Sequence, residues 1–73
     1  MNGTPRPPAS AEDDRLIPLA RVREIVSLSK AMIYRLIQRG AFPRPCKVGG
    51  VASRWSEREI RDWRDHRLAS RAE

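Results

Sequence analysis

The chain has 73 residues, of which 40% are hydrophobic and 33% are charged, and its formal net charge is +6. A chain of this length builds one small core and buries only roughly 60% of its unfolded surface, which argues against a large enclosed active site. It has no apolar run of about 18 residues that would span a membrane, and its first fifteen residues lack the pattern of a secretory signal. Cys46 is the only cysteine, which excludes an internal disulfide and a multi-cysteine zinc site. We therefore expect a globular, cytoplasmic protein.

The positive charge is concentrated in the middle of the chain. The segment of 32 residues from Ile25 to Ser56 contains no acidic residue and six basic ones, namely Lys30, Arg35, Arg39, Arg44, Lys47 and Arg54. The rest of the chain carries nine basic and nine acidic residues and is neutral. A localised excess of this kind is typical of a phosphate-binding surface. The alternative is an ordinary solvated basic face.

The chain is predicted to begin with a disordered tail over residues 1–14, which combine three prolines with an acidic triplet and show no apolar period. Folded structure should start with a short extended segment at Arg15–Ile17, which Pro18 ends or redirects. A first helix is predicted from about residue 19 to 26, because its apolar residues recur on one face. It should stop at residues 27–29, with Leu28 pointing inward.

The second predicted helix runs from Lys30 to Arg39. Ser29 is a favourable N-cap, and Gly40 is expected to follow the helix in a left-handed conformation. One side of this helix is apolar, and the other side carries no carboxylate and consists of Lys30, Ala31, Tyr34, Arg35 and Gln38. A side with this composition suits a DNA major groove.

A β-hairpin and a third helix follow. The residues flanking Gly49-Gly50 are β-prone, and paired glycines tolerate the positive φ of a tight turn. Ser56 and Glu59 form a capping box at the start of the third helix, which is expected to fray beyond Arg67. The sequence therefore predicts a mainly α fold with a small β-hairpin and three helices, a winged helix-turn-helix. It would occupy residues 15–69 and be followed by a frayed C-terminus over residues 70–73.

From Arg15 to about Ala69 the sequence resembles the AlpA-type prophage regulators and small excisionases, which share a MerR-like winged helix. The resemblance covers about three quarters of the chain and is carried by Leu28-Ser29, Ile33-Tyr34-Arg35-Leu36-Ile37, Gly40 with Phe42-Pro43, Gly49-Gly50, and Arg54-Trp55 with Ile60 and Trp63. The chain departs from the family at Met32, where threonine is common, and at Val51, where a basic residue is common. The resemblance implies a transcriptional activator, a repressor or a directionality factor for excision of a mobile element.

Candidate DNA-binding residues of the second helix are those near its start: Ser29, Lys30, Ala31, Tyr34 and Arg35. The first turn of a recognition helix approaches base edges most closely. Arg35 is expected either to bond guanine O6 and N7 together or to clamp a phosphate. Tyr34 either offers its hydroxyl to a phosphate or is a half-buried core residue. Ser29 caps the helix, and the N–H groups beside it are candidates for a phosphate oxygen.

Candidates on and before the hairpin are Arg44, Lys47, Gly49, Gly50, Ser53 and Arg54. They would reach the DNA backbone or the adjacent minor groove. Because side chains alternate along a strand, an inward Trp55 would place Arg54 outward. For Val51 the departure from the family weakens the case for a phosphate contact at the hairpin tip.

The other chemically distinctive residues are assigned to structure. Trp55, Trp63, Phe42 and Ile60 are predicted to form the core, Cys46 to be a small buried hydrophobe, and His66 to be exposed. The sequence has no metal-ligand cluster, no phosphate loop and no nucleophile–base pair, so we predict neither an enzyme nor a cofactor.

The sequence thus predicts a sequence-specific, nucleoid-associated protein that binds double-stranded DNA. Because one small module binds short sites weakly, we expect tandem sites, cooperative binding or a homodimer, and an excisionase would also act beside an integrase. The alternative is a small adaptor or antirepressor whose basic face binds an acidic protein partner.

Overall fold

The computed structural model describes residues 14–71. Its elements are β1 (Leu16–Ile17), α1 (Leu19–Val26), α2 (Lys30–Gln38), β2 (Cys46–Val48), β3 (Ala52–Ser56) and α3 (Glu57–Arg71). Three helices with a small antiparallel sheet, in this order, confirm the predicted winged helix-turn-helix. The predicted tail lies outside the described residues up to residue 13.

β3 is the central strand of a three-stranded antiparallel sheet with the order β1-β3-β2. At one end of β3, Ile17 lies opposite Trp55, and at the other end Lys47 lies opposite Ser53. The segment before Pro18 therefore pairs with the hairpin, which makes the sheet one strand wider than a hairpin alone. In the tight turn between β2 and β3, Gly49 and Gly50 have φ values of 65° and 80°, which glycine adopts without steric cost.

The turn between α1 and α2 is short and well defined. Ser27 ends α1 in the left-handed conformation, with φ 57°, and Leu28 packs in part against the core, as predicted. Ser29 Oγ accepts a hydrogen bond from the Met32 N–H at 3.1 Å, which confirms the predicted N-cap.

A glycine in the left-handed conformation ends α2. Gly40 has φ 73°, its N–H donates to the Ile37 carbonyl at 3.0 Å, and the Ala41 N–H donates to the Leu36 carbonyl at 2.8 Å. These two bonds form a Schellman motif, which satisfies carbonyls at the end of the helix. The predicted left-handed glycine is confirmed.

The core draws on every element except β2 and consists of Ile17, Val22, Ile33, Leu36, Phe42, Trp55 and Ile60. Trp55 is fully buried, and its indole N–H donates to the Pro43 carbonyl at 3.1 Å. Trp63 lies at the margin of the core, where its ring packs edge-on against the Phe42 ring with centroids 4.7 Å apart. Its indole N–H donates to the Ala41 carbonyl at 2.8 Å. The core assignment is confirmed for Trp55, Phe42 and Ile60.

The prediction that Cys46 is buried is wrong, because its side chain is exposed. Cys46 lies opposite Arg54, on the face of the hairpin that points away from Trp55. Every residue of β2 is exposed, so this part of the hairpin projects beyond the core.

The ends of the folded region also differ from expectation. α3 continues to Arg71 instead of fraying beyond Arg67. Asp14, which the sequence placed in the tail, accepts hydrogen bonds from the Ser56 hydroxyl and, at 2.9 Å, from the Arg58 N–H. Ser56 Oγ in turn accepts from the Glu59 N–H at 3.1 Å, as its capping role requires. Two side chains therefore cap the start of α3.

Candidate nucleic-acid interface

One side of α2 is exposed along its whole length and carries no carboxylate. Ile33 and Leu36 point into the core, and the opposite side presents the exposed residues Lys30, Ala31, Arg35, Gln38 and Arg39. Had α3 covered this side, these residues would be buried. The face is therefore open to a ligand, and an α-helix has the width that a DNA major groove admits.

The start of α2 combines positive charge with backbone donors. The first N–H groups of a helix have no partner within the helix, and Ser29 Oγ satisfies only that of Met32. The first turn contains no acidic side chain to neutralise the positive end of the helix dipole. The exposed Lys30 adds a full charge at the same end. This arrangement favours an anion such as a phosphate oxygen.

The strand register divides the hairpin candidates between two faces. Lys47 lies opposite Ser53, and both share the face of Trp55, which is the inner face of the sheet. Arg54 lies on the outer face, as the sequence predicted for an inward Trp55, and its Nη1 donates to the Ser53 carbonyl at 2.9 Å. The structure therefore brings Lys47 and Ser53 to one face of the hairpin and separates Arg54 from them.

Tyr34 connects α2 with the inner face of the sheet. Its ring packs against the Trp55 ring in an edge-on arrangement with centroids 6.4 Å apart. Tyr34 is partly buried and packs against the core, as one of the two predicted alternatives required. This contact joins Tyr34 to Trp55, which lies on the sheet face that also carries Lys47 and Ser53.

Arg44 has a different setting from the other candidates. It lines a groove together with Pro43, Trp63 and two carboxylates of α3, Glu59 and Asp62. Arg67 lines the same groove, so cationic and carboxylate side chains are mixed around Arg44.

The basic residues of the central segment differ from the other arginines in their pairing. Within residues 14–70, ion pairs involve only cations outside the central segment, namely Arg15, Arg21, Arg61 and Arg64. None of these contacts includes Lys30, Arg35, Arg39, Arg44, Lys47 or Arg54. Among residues 14–70, the cations of the central segment therefore have no carboxylate partner.

We call the ion-paired residues around α3 the paired surface, which consists of Arg15, Arg21, Glu57, Arg61, Arg64 and Asp65. Glu57 is its centre. Its carboxylate contacts Arg15 Nε at 2.7 Å, Arg61 Nη2 at 2.8 Å and Arg21 Nη2 at 4.0 Å. Hydrogen bonds from Arg15 and Arg61 hold the pKa of Glu57 below its ordinary value of 4.5. Hydrogen bonds from the Ser56 hydroxyl and the Arg58 N–H likewise hold the pKa of Asp14 below 3.8. Both carboxylates stay charged and hold β1 and α1 against α3.

The structure adds one exposed residue that sequence reasoning left out of the site. Met32 is 37% exposed on the first turn of α2. Its apolar side chain gave no signal for a polar ligand, and only its departure from the family pattern drew attention to it. Gln38 and Arg39 are exposed further along the same helix.

Comparison with known families identifies the family of the chain. Residues 15–68 match the family model described as prophage CP4-57 regulatory protein (AlpA). The chain belongs to this family. The matched region runs from the start of β1 into α3 and so includes both α2 and the hairpin.

The chain is also similar to a curated phage protein. An uncharacterized protein, ORF88 of Enterobacteria phage P4, is 33% identical over 58 residues. The aligned region covers 80% of this chain and 66% of the phage protein, a little less than two thirds of that relative. No solved structure matches the chain.

Two further findings concern residues 14–71. A helix that crosses a bilayer needs about 20 apolar residues, and none of the helices in residues 14–71 meets this requirement. The same residues contain no group of three His, Cys, Asp or Glu side chains placed to hold a metal ion.

Proposed function

We propose that this prophage regulatory protein binds double-stranded DNA at specific sequences, with α2 in the major groove and the β2–β3 hairpin against the neighbouring backbone. The observation that carries the proposal is the exposed, carboxylate-free side of α2, whose cations are unpaired within residues 14–70. A ligand of dense negative charge and helical shape fits such a surface better than a neutral one.

Each part of the surface has its own task in this arrangement. Arg35 lies on the open side of α2, where its guanidinium bonds either a guanine edge or a phosphate. The N–H groups at the start of α2, with Ser29 and Lys30, hold a phosphate and so fix the register of the helix. Lys47 and Ser53 extend the contact onto the inner face of the hairpin, and Gly49 and Gly50 allow its tip to approach closely.

The wider role follows from the size of the domain. Roughly five to eight phosphate contacts make affinity fall steeply with salt, and one small module occupies only a short site. The protein therefore acts on DNA as a homodimer or by cooperative binding of several copies. Occupation of a promoter regulates transcription, whereas binding to adjacent repeats beside an attachment site assists an integrase in excision. Both roles place the protein at the nucleoid in the cytoplasm.

The test compares an unpaired arginine with an ion-paired one. Binding is measured on duplexes that the wild-type protein selects from genomic fragments. Arg35→Ala removes an exposed, unpaired cation, and Arg64→Ala removes one whose Nη2 lies 2.9 Å from Asp65. Arg35→Ala should weaken binding by about 1–3 kcal/mol, roughly fivefold to 150-fold. Arg64→Ala should change it less than about twofold.

Fluorescence anisotropy over a range of salt concentrations measures both affinity and its salt dependence. If Arg35 clamps a phosphate, the salt slope falls by about 0.9. Unchanged affinity and unchanged slope for Arg35→Ala would show that α2 is not the binding face. Failure to retain any duplex at physiological salt, with capture of an acidic protein instead, would favour the adaptor.

A further inference from the structure

Met32 is more exposed than the other large apolar residues of the helix-turn-helix. Ile25, Leu28 and Ile37 are partly buried and pack against the core, whereas Met32 lies at the surface of the first turn of α2. Its side chain is 37% exposed. The capping contact at this position uses only its backbone N–H, so the fold makes no demand on the thioether side chain.

The surroundings of Met32 are those of the proposed DNA-binding face. Lys30 and Ala31 precede it on the first turn and are exposed. Arg35 is three positions later, which makes the two side chains neighbours on the helix surface. A single exposed apolar residue is ordinary on a protein surface. Here, however, it lies at the helix start, where a recognition helix comes closest to base edges.

Major-groove chemistry offers one apolar feature to such a side chain. The groove edges of the four bases consist of hydrogen-bond donors and acceptors, except for the 5-methyl group of thymine. A methionine side chain is unbranched and adapts to the shape of an apolar contact. It has no hydrogen-bond donor, so it gains little from the polar edges of guanine, cytosine or adenine.

We propose that Met32 is a specificity-determining residue that selects thymine by packing against its 5-methyl group. The inference rests on the proposed function, since it needs α2 to lie in the major groove. Thymine then occupies at least one fixed position of the bound sequence.

The experiment removes the methyl group without changing the base pairing. Duplexes selected by the wild-type protein are synthesised with each thymine replaced in turn by deoxyuridine, and affinities are measured for wild type and Met32→Ala. One replacement should weaken wild-type binding by about fourfold, the value of one buried methyl group. The same replacement should have no effect on Met32→Ala.

Two further variants act as controls. Met32→Leu keeps an apolar contact and should retain the discrimination in part. Leu68→Ala shortens another exposed apolar side chain, on α3, and should show the full wild-type penalty. Because neither Met32 nor Leu68 is a core residue, thermal melting should show that all variants are folded.

The outcomes separate this inference from the proposed function. If the wild-type protein selects a defined duplex and no deoxyuridine replacement weakens it, Met32 does not read thymine although DNA binding stands. An equal penalty in wild type and Met32→Ala would also overturn the inference. If the wild-type protein selects no duplex, the proposed function itself fails.

Discussion

Arginines on opposite sides of this domain have opposite settings. Around α3, four of them contact carboxylates, three at Glu57 and one at Asp65. On α2, Arg35 and Arg39 are exposed and have no carboxylate within ion-pair distance among residues 14–70. Both surfaces carry arginines, and what distinguishes them is contact with carboxylates. Ion pairs on the paired surface connect β1 and α1 to α3, whereas the α2 surface has no such pair among residues 14–70.

The largest expected effect comes from removing the largest fully buried side chain of the core. Trp55 contacts Tyr34 of α2 through its ring and the Pro43 carbonyl through its indole N–H. Trp55→Ala should lower the free energy of unfolding by about 3–5 kcal/mol. Small domains are only marginally stable. Urea titrations followed by circular dichroism should therefore show that the variant is largely unfolded even without urea.

Trp63→Ala is the matched control, because Trp63 is only partly buried. It should cost clearly less than Trp55→Ala, since a partly exposed ring loses less buried area. Equal losses for the two tryptophans would contradict the central place of Trp55 in the core.

Much of the fold was predictable because local rules and the tertiary structure agree. The bounds of α1 and the caps of α2 follow from apolar period, Ser29 and Gly40, each of which acts through contacts within a few residues. The pairing of β1 with β3 was not predictable. It joins residues about 40 positions apart, and a two-residue strand has no period to detect.

The site was predictable only in part, for a related reason. Charge and helix period identify the open side of α2, because both are properties of a local segment. The sequence does not show that Lys47 and Arg54 lie on opposite faces, because this depends on the register of the hairpin. It also does not show the carboxylates beside Arg44, because they belong to α3, which is distant in sequence. Cys46 was misassigned because its hydrophobicity indicates burial, whereas its strand projects beyond the core.

The free energy of unfolding should depend on pH through Asp14, whose carboxylate helps to cap α3. Because its pKa is lower in the folded protein than its ordinary value of 3.8, its charged form stabilises the fold above that pH. This contribution is lost as the pH falls through the lower, folded-state pKa. Asp14→Ala should lower the free energy of unfolding by about 1 kcal/mol at pH 7, as for other helix caps. The difference from wild type should vanish in strong acid.

Urea unfolding at several pH values measures this difference. Asp62→Ala is the control, because Asp62 is an exposed carboxylate of α3 without a hydrogen bond to any residue of the described region. Asp62→Ala should change the free energy of unfolding less than Asp14→Ala does at pH 7. A constant loss for Asp14→Ala at all pH values would mean that the charge of Asp14 is not what caps α3.

The smallest expected effect on DNA binding comes from adding one cation at the tip of the hairpin. Val51 is 81% exposed beside the glycine turn and stands where family members commonly carry a basic residue. Val51→Arg should tighten DNA binding by about twofold to fivefold at low salt, the value of one exposed ion pair. Its salt slope should steepen by about 0.9 if the new side chain reaches a phosphate.

The charge-matched control is Leu68→Arg, which changes an equally dispensable exposed residue of α3. Both variants raise the net charge by one, so long-range attraction to DNA increases similarly for each. Only a contact at the hairpin tip gives Val51→Arg the greater gain and the steeper slope. Equal gains would mean that the tip stays away from the backbone, and the interface would then be limited to α2 and the base of the hairpin.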